Sequence, residues 1–251
     1  MSPTCRLWDW GASRSAPDLE SAGFISDDSP MKRSLREPVN AVTHSIGAVL
    51  SVIGLLVLLA VGIRNGSARQ IVAFSIFGAS LIAMYSVSTL YHGLPLSPRG
   101  IARARRLDHV MIYILIAGTY TPVCMLLLPD RLGISLLVVV WTLAAIGTVQ
   151  KIAWMRAPVW LSTALYLGMG WIAVVVIRPL LNAAPRGFFL WLLAGGLFYS
   201  VGAIVHGVKW PRRMVAETRR MFGPHEIWHL FVMAGSFSHY WAILTYASKA
   251  R

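Results

Sequence analysis

Charge is scarce in this 251-residue sequence. Asp, Glu, Lys and Arg together make up 13%, against roughly 25% in an ordinary soluble domain, while apolar residues reach 56%. That deficit, with a mean hydropathy of +0.62, excludes a single soluble domain and points to a chain that crosses a bilayer several times. Cysteine is also nearly absent: Cys5 lies in a polar tail and Cys124 inside an apolar run. The two are badly placed to pair, so neither a disulfide nor a thiolate-ligated zinc is expected. The first residues lack the apolar core of a signal peptide. Residues 1–36 are polar and aperiodic and read as a flexible tail, ahead of a membrane domain over 37–251. The natural start is either Met1 or Met31.

Acidic residues are fewer still, 10 against 23 Lys and Arg, for a net charge of +13. The excess does not point to nucleic acid, because no basic helix or aromatic platform accompanies it. The basic residues form short clusters between apolar runs, as expected of loops that face anionic lipid.

What the chain has in abundance is apolar runs near the 20 or so residues that a membrane helix needs. Seven are predicted, at 41–63, 70–92, 109–128, 133–150, 158–177, 187–208 and 226–246, each bounded by charge, Pro or Gly. The expected fold is therefore all-α, a seven-helix transmembrane bundle. Thr121-Pro122 is expected to kink the third span, and the glycine pairs of LGMGW and AGGLF to allow close helix contact. Connections after spans two, four and six hold eleven Lys and Arg, among them Arg105, Lys151 and Arg212, whereas the alternate connections hold five. The positive-inside rule then puts the N-terminus in the cytoplasm and the C-terminus outside.

With that topology, distant polar residues share one layer at the cytoplasmic edge. Ser88 and His92 end the second span, Asp108 and His109 begin the third, and His225 and His229 begin the seventh. Ionisable groups in a membrane are costly and mark function. His225 and His229 are four apart on one helix face and can share a metal; Ser88 and His92 have the same spacing. Three neutral imidazoles with an open fourth position make a catalytic zinc site. His44 and His206 lie near the same layer and compete for a ligand role. His239 is about 15 Å further along its helix than His229 and reads as a packing or hydrogen-bonding residue. Glu37 and Asn40 either seal the site or cap the first helix.

The segments EPVNAVTHSIG, STLYHGLP, RLDHVMIYILIAGTYTPV, GGLFYSVGAI and HEIWHLFVMAGSFSH together resemble the hemolysin III family, within the progestin and adiponectin receptor (PAQR) superfamily. The resemblance covers nearly all of 37–251 and implies seven helices with the N-terminus inside. It implies a zinc ion on His92, His225 and His229, with Ser88 as the neighbouring serine and Asp108 orienting or activating a zinc-bound water. Some superfamily members are ceramidases, so a hydrolase acting on a membrane lipid amide or ester is implied, with lipid entering laterally. HEIWH also matches the H-E-x-x-H of zinc proteases, but Glu226 points about 100° away from His225 and is read as incidental rather than as a base.

Other functions remain. Hemolysin III proteins are named for a pore-forming, cytolytic activity, and the zinc could be purely structural. Against a channel or transporter, the middle of the spans lacks Asp, Glu, Lys and Arg and offers only hydroxyls such as Ser80, Thr119 and Ser162, plus His239. Against a hormone receptor, the expected outer connections are short. The predicted location is the inner, or plasma, membrane, with membrane lipids as partners.

Overall fold

The computed structural model describes residues 35–155, 157–207 and 223–249. Most of the tail, Cys5, Met31, Arg156 and the basic cluster from Lys209 to Arg220 lie outside them, so expectations for these residues rest on sequence. The described chain is helical: α1 (Pro38–Arg64), α2 (Ala68–Gly93), α3 (Pro98–Leu126), α4 (Asp130–Ala153), α5 (Val159–Trp171), a 3-10 segment (Ile172–Val176), α6 (Ile177–Ala183), α7 (Arg186–Gly207), α8 (Pro224–Thr245) and a 3-10 turn (Ala247–Lys249). Among the described residues there is no strand.

Six helical stretches are long and apolar enough to cross a membrane: α1, α2, α3, α4, the composite Trp160–Ala183, and α7. α8 is not one of them, although it has 22 residues. The reason is compositional, since His225, Glu226, His229 and His239 all fall on it. The helix that the sequence reads as a seventh span is thus the one that carries three histidines.

Local signals set the ends. Pro38, Pro98 and Pro224 each occupy the first helical turn, where a missing N–H costs nothing. α1 ends at Arg64, and two residues on Gly66 takes a positive φ (64°), its N–H returning to the Ile63 carbonyl at 3.0 Å. Only a residue without Cβ adopts that conformation freely. Ser67 then caps α2 by accepting from the Gln70 N–H at 3.3 Å, and Ser97 caps α3 in the same way. α3 continues through Pro122 to Leu126.

α2 packs between α1 and α3, α3 against α4, and α7 against α8, which also touches α1. One apolar cluster joins Leu58, Phe74, Phe77, Leu115, Val232 and Ile243, from α1, α2, α3 and α8. A second joins α3 and α4 to α6, α7 and α8 through Val123, Val140, Leu180, Phe188 and Ala242. Large apolar side chains such as Val49, Leu56 and Ile146 point outward, the faces that lipid covers.

Two expectations are corrected in the fifth span. The helix does not end at 177: it breaks into a 3-10 segment at Ile172 and resumes as α6, so Arg178 lies within it. Tyr120 of α3 supports the break. Its hydroxyl donates toward the Met169 and Gly170 carbonyls, at 3.0 and 2.8 Å, and accepts from the Ala173 N–H at 2.9 Å. The glycines of LGMGW do not bring helices together, since a Cβ on Gly168 or Gly170 would meet nothing within 4 Å. In AGGLF, Gly195 packs on the His239 ring, but Gly196 faces open space.

The end of the chain is tied to the α1–α2 turn. Asn65 Nδ2 and Gln70 Nε2 both donate to the Ser248 carbonyl, at 2.8 and 3.1 Å, and Asn65 also donates to Gln70 Oε1 at 2.9 Å. Gln70 is buried. Gln70→Leu is expected to destabilise the protein by about 1–3 kcal/mol, the usual cost of orphaning buried polar groups, seen as a lower thermal unfolding midpoint in detergent. Arg69→Ala, which removes the exposed Arg69–Asp130 ion pair, should leave the midpoint unchanged.

Candidate metal centre

The last turn of α2 and the first turns of α8 meet at His92, His225 and His229. One ring nitrogen from each lies within 4.8 Å of the others. His92 and His229 are 1% and 2% exposed, so bulk solvent does not reach them. His92 Nε2 and His225 Nε2 are 3.4 Å apart, close to the roughly 3.3 Å between two nitrogens bound tetrahedrally to one zinc at 2.0–2.1 Å. Nδ1 of His229 is buried with no hydrogen-bond partner. The site's donor set, three imidazoles and no thiolate, suits zinc, and the residues present fit the ion that the sequence implies.

Orientation comes from Glu37. Its Oε2 lies 2.5 Å from His92 Nδ1, which leaves Nε2 facing the other histidines. A carboxylate that holds the far nitrogen of a ligating histidine sets its tautomer and raises its basicity. Burial works to raise the Glu37 carboxyl, but the hydrogen bond and charge interaction with His92, with help from Asn40 and Arg36, outweigh it and hold the group below its ordinary value. Glu37 occupies the N-cap position of α1 yet makes no side-chain cap. Between sealing the site and capping a helix, the structure assigns it to the site.

Asn40 extends the link. Its Nδ2 donates to Glu37 Oε2 at 3.2 Å and to Glu226 Oε1 at 2.9 Å, joining α1 to α8. Glu226 Oε2 accepts from the Gly223 N–H at 2.7 Å. Both of its carboxylate oxygens are therefore engaged in fixing the start of α8, a structural task and not that of a protease base.

The other predicted residues lie close by. Ser88 pairs with the Asp108 carboxylate, and both line a cavity of about 360 Å³ that His225 and His229 also line. His44 stacks on His229, ring centroids 3.6 Å apart and 11° from parallel, and so supports the trio as a packing wall. His206 lies against His225 and Trp228. His109 also lines the cavity, its Nδ1 donating to the Arg105 carbonyl at 2.8 Å. His239 hydrogen-bonds the Leu192 carbonyl through Nε2 at 3.1 Å.

From the histidines the cavity extends among α3, α5, α7 and α8 past Ile112, Ile116, Leu167, Trp171 and Leu193. Gly170 and Gly196 widen it between α5 and α7, where Trp171 Nε1 bridges to Ser200 Oγ at 3.0 Å.

Apolar spans around a buried histidine trio define a polytopic membrane protein with a metal-competent centre. The family model described as Haemolysin-III related matches residues 32–240, and the chain belongs to the hemolysin III family. It is 42% identical to Hemolysin-3 of Bacillus cereus over 211 residues, 84% of this chain and 91% of that one. It is 39% identical to the Hemolysin-3 homolog of Bacillus subtilis (strain 168) over 214 residues, 85% of this chain and 95% of that one. A more distant likeness, 26% over 215 residues and 84% of each chain, is to the human Monocyte to macrophage differentiation factor, in keeping with the wider PAQR superfamily.

Glu37→Gln keeps the shape of the side chain but removes its charge. It is expected to weaken zinc affinity about 10- to 100-fold, measured by competition with a fluorescent chelator. Unchanged affinity would mean that Glu37 does not act through His92.

Proposed function

We propose that this protein is a zinc-dependent hydrolase acting on an amide or ester of a membrane lipid, a seven-span protein of the inner (plasma) membrane with its N-terminus in the cytoplasm. The observation that carries the proposal is a cluster of three imidazoles, two of which, His225 and His229, share the walls of one largely apolar cavity with the Ser88–Asp108 pair. α8 is the seventh span in this reading. Its 22 residues extend roughly 33 Å, enough to cross the hydrocarbon, and His229 is shielded by protein while His225 and His239 are partly so.

His92, His225 and His229 would hold the ion. A zinc ion bound there supplies Lewis acidity, lowering the pKa of a bound water to about 7. Asp108 is the proton acceptor, taking the proton on a carboxylate oxygen, and Ser88 is a positioning residue that orients that carboxylate. Glu37 holds His92 in register through Nδ1. The apolar walls exclude bulk water and accept the lipid chain, which enters between α5 and α7. A pore, the activity to which the name Hemolysin-3 points in the relative, requires a polar path, whereas most residues lining this cavity are apolar.

Protein reconstituted in nanodiscs with ceramides and lipid esters is expected to release fatty acid and to stop when the metal is chelated. Asp108→Asn should lower turnover by about 10²- to 10⁴-fold, the usual contribution of a general base, while zinc content stays at the wild-type level. Wild-type turnover by Asp108→Asn would remove Asp108 from the mechanism; zinc-loaded wild type inert towards every lipid amide and ester tried would end the hydrolase reading.

A further inference from the structure

Lys151 lies in the last turn of α4, where its position alone makes it a topology-setting charge. Such lysines ordinarily extend their stems toward headgroups and water. This one turns inward: it is 4% exposed, and its Nζ donates to Ser162 Oγ on α5 at 2.5 Å. Both residues line the 360 Å³ cavity.

Among the described residues no carboxylate answers the ammonium. Among the described residues Lys151 makes no ion pair, and its hydrogen-bond partner is a neutral hydroxyl. Its electrostatic neighbours are cationic or basic: Arg105 acts on it, and Lys151 and Arg105 both act on His109. Asp108, which lines the same cavity, interacts with Ser88 and Arg105. A buried ammonium without a counter-charge carries a large desolvation cost, which an anion entering the cavity would offset. Hydrogen-bonding capacity remains for one. Lys151 uses one of its three donors on Ser162, and Ser162, accepting that bond, keeps its own O–H free to donate. The adjoining walls, Ile112, Ile116, Leu167 and Leu193, are apolar, so the cavity suits an ion joined to a hydrocarbon chain better than a hydrated one.

We propose that Lys151 and Ser162, with Arg105 at the rim, form a binding site for a phosphate or carboxylate group, carried into the cavity as the anionic head of a single-chain lipid. The site shares its cavity with His225 and His229 but uses different side chains and does not depend on hydrolysis.

The test compares two ligands that share chain and glycerol and differ by one phosphate, oleoyl lysophosphatidic acid and monoolein, by calorimetric titration into the full-length protein in neutral detergent. Wild type is expected to bind the acidic lipid about 10- to 100-fold more tightly, the range for hydrogen bonds to a charged group. Lys151→Met should abolish that preference while its monoolein affinity, which also reports a folded cavity, stays at the wild-type value; Lys151→Arg should keep it. Millimolar inorganic phosphate distinguishes the sources: no competition assigns the site to lipid, and competition assigns it to the free anion. Equal affinities for the two lipids in wild type, or an intact preference in Lys151→Met, would overturn the proposal.

Discussion

One hydrogen bond, from His92 Nδ1 to the Glu37 carboxylate, organises the polar end of this bundle. Inside a membrane there is no water to correct a misdirected imidazole, so each buried ring must be oriented by protein. Glu37 fixes His92 through Nδ1, Asn40 joins Glu37 to Glu226, and Glu226 secures the first turn of α8. Helices far apart in sequence thereby present His92, His225 and His229 to one point. His44 closes the other side by stacking on His229.

The same constraint explains the uneven build of the bundle. α1 to α4 and α8 pack tightly around aromatic residues such as Phe74, Phe77 and Tyr113. α5 breaks, and it can do so because Tyr120 satisfies the backbone groups that the break frees. Irregular backbone at membrane depth is tolerated where it lines a cavity, and this break does: Gly170, Trp171 and Ala173 all face the cavity. Rigid helices hold the histidines, while the loosely packed fifth span leaves room beside them.

Much of the site was legible in sequence because helix geometry fixes it locally. An i, i+4 pair such as His225 and His229, or Ser88 and His92, must share a face, and span ends at matching depth bring such faces into one layer. Contacts that depend on tertiary partners were not legible. The capping signal at Glu37 is genuine, yet its side chain serves a histidine 55 residues away. Lys151 counts as a topological charge by position, and only packing shows it turned inward. Glycine pairs in LGMGW look like a helix-contact signal but lie beside a cavity, because the helix they belong to is broken by a tyrosine on another. α8 is the converse case: its histidines lower its hydropathy, and two of them, His225 and His229, belong to the candidate metal centre.

Metal content of the purified protein tests the central claim most directly. Mass spectrometry of wild type purified without chelators, beside the His92→Ala, His225→Ala, His229→Ala triple variant, should find about one zinc per chain in the first and none in the second. Well-folded wild type without stoichiometric zinc, or a triple variant that retains it, would contradict the account.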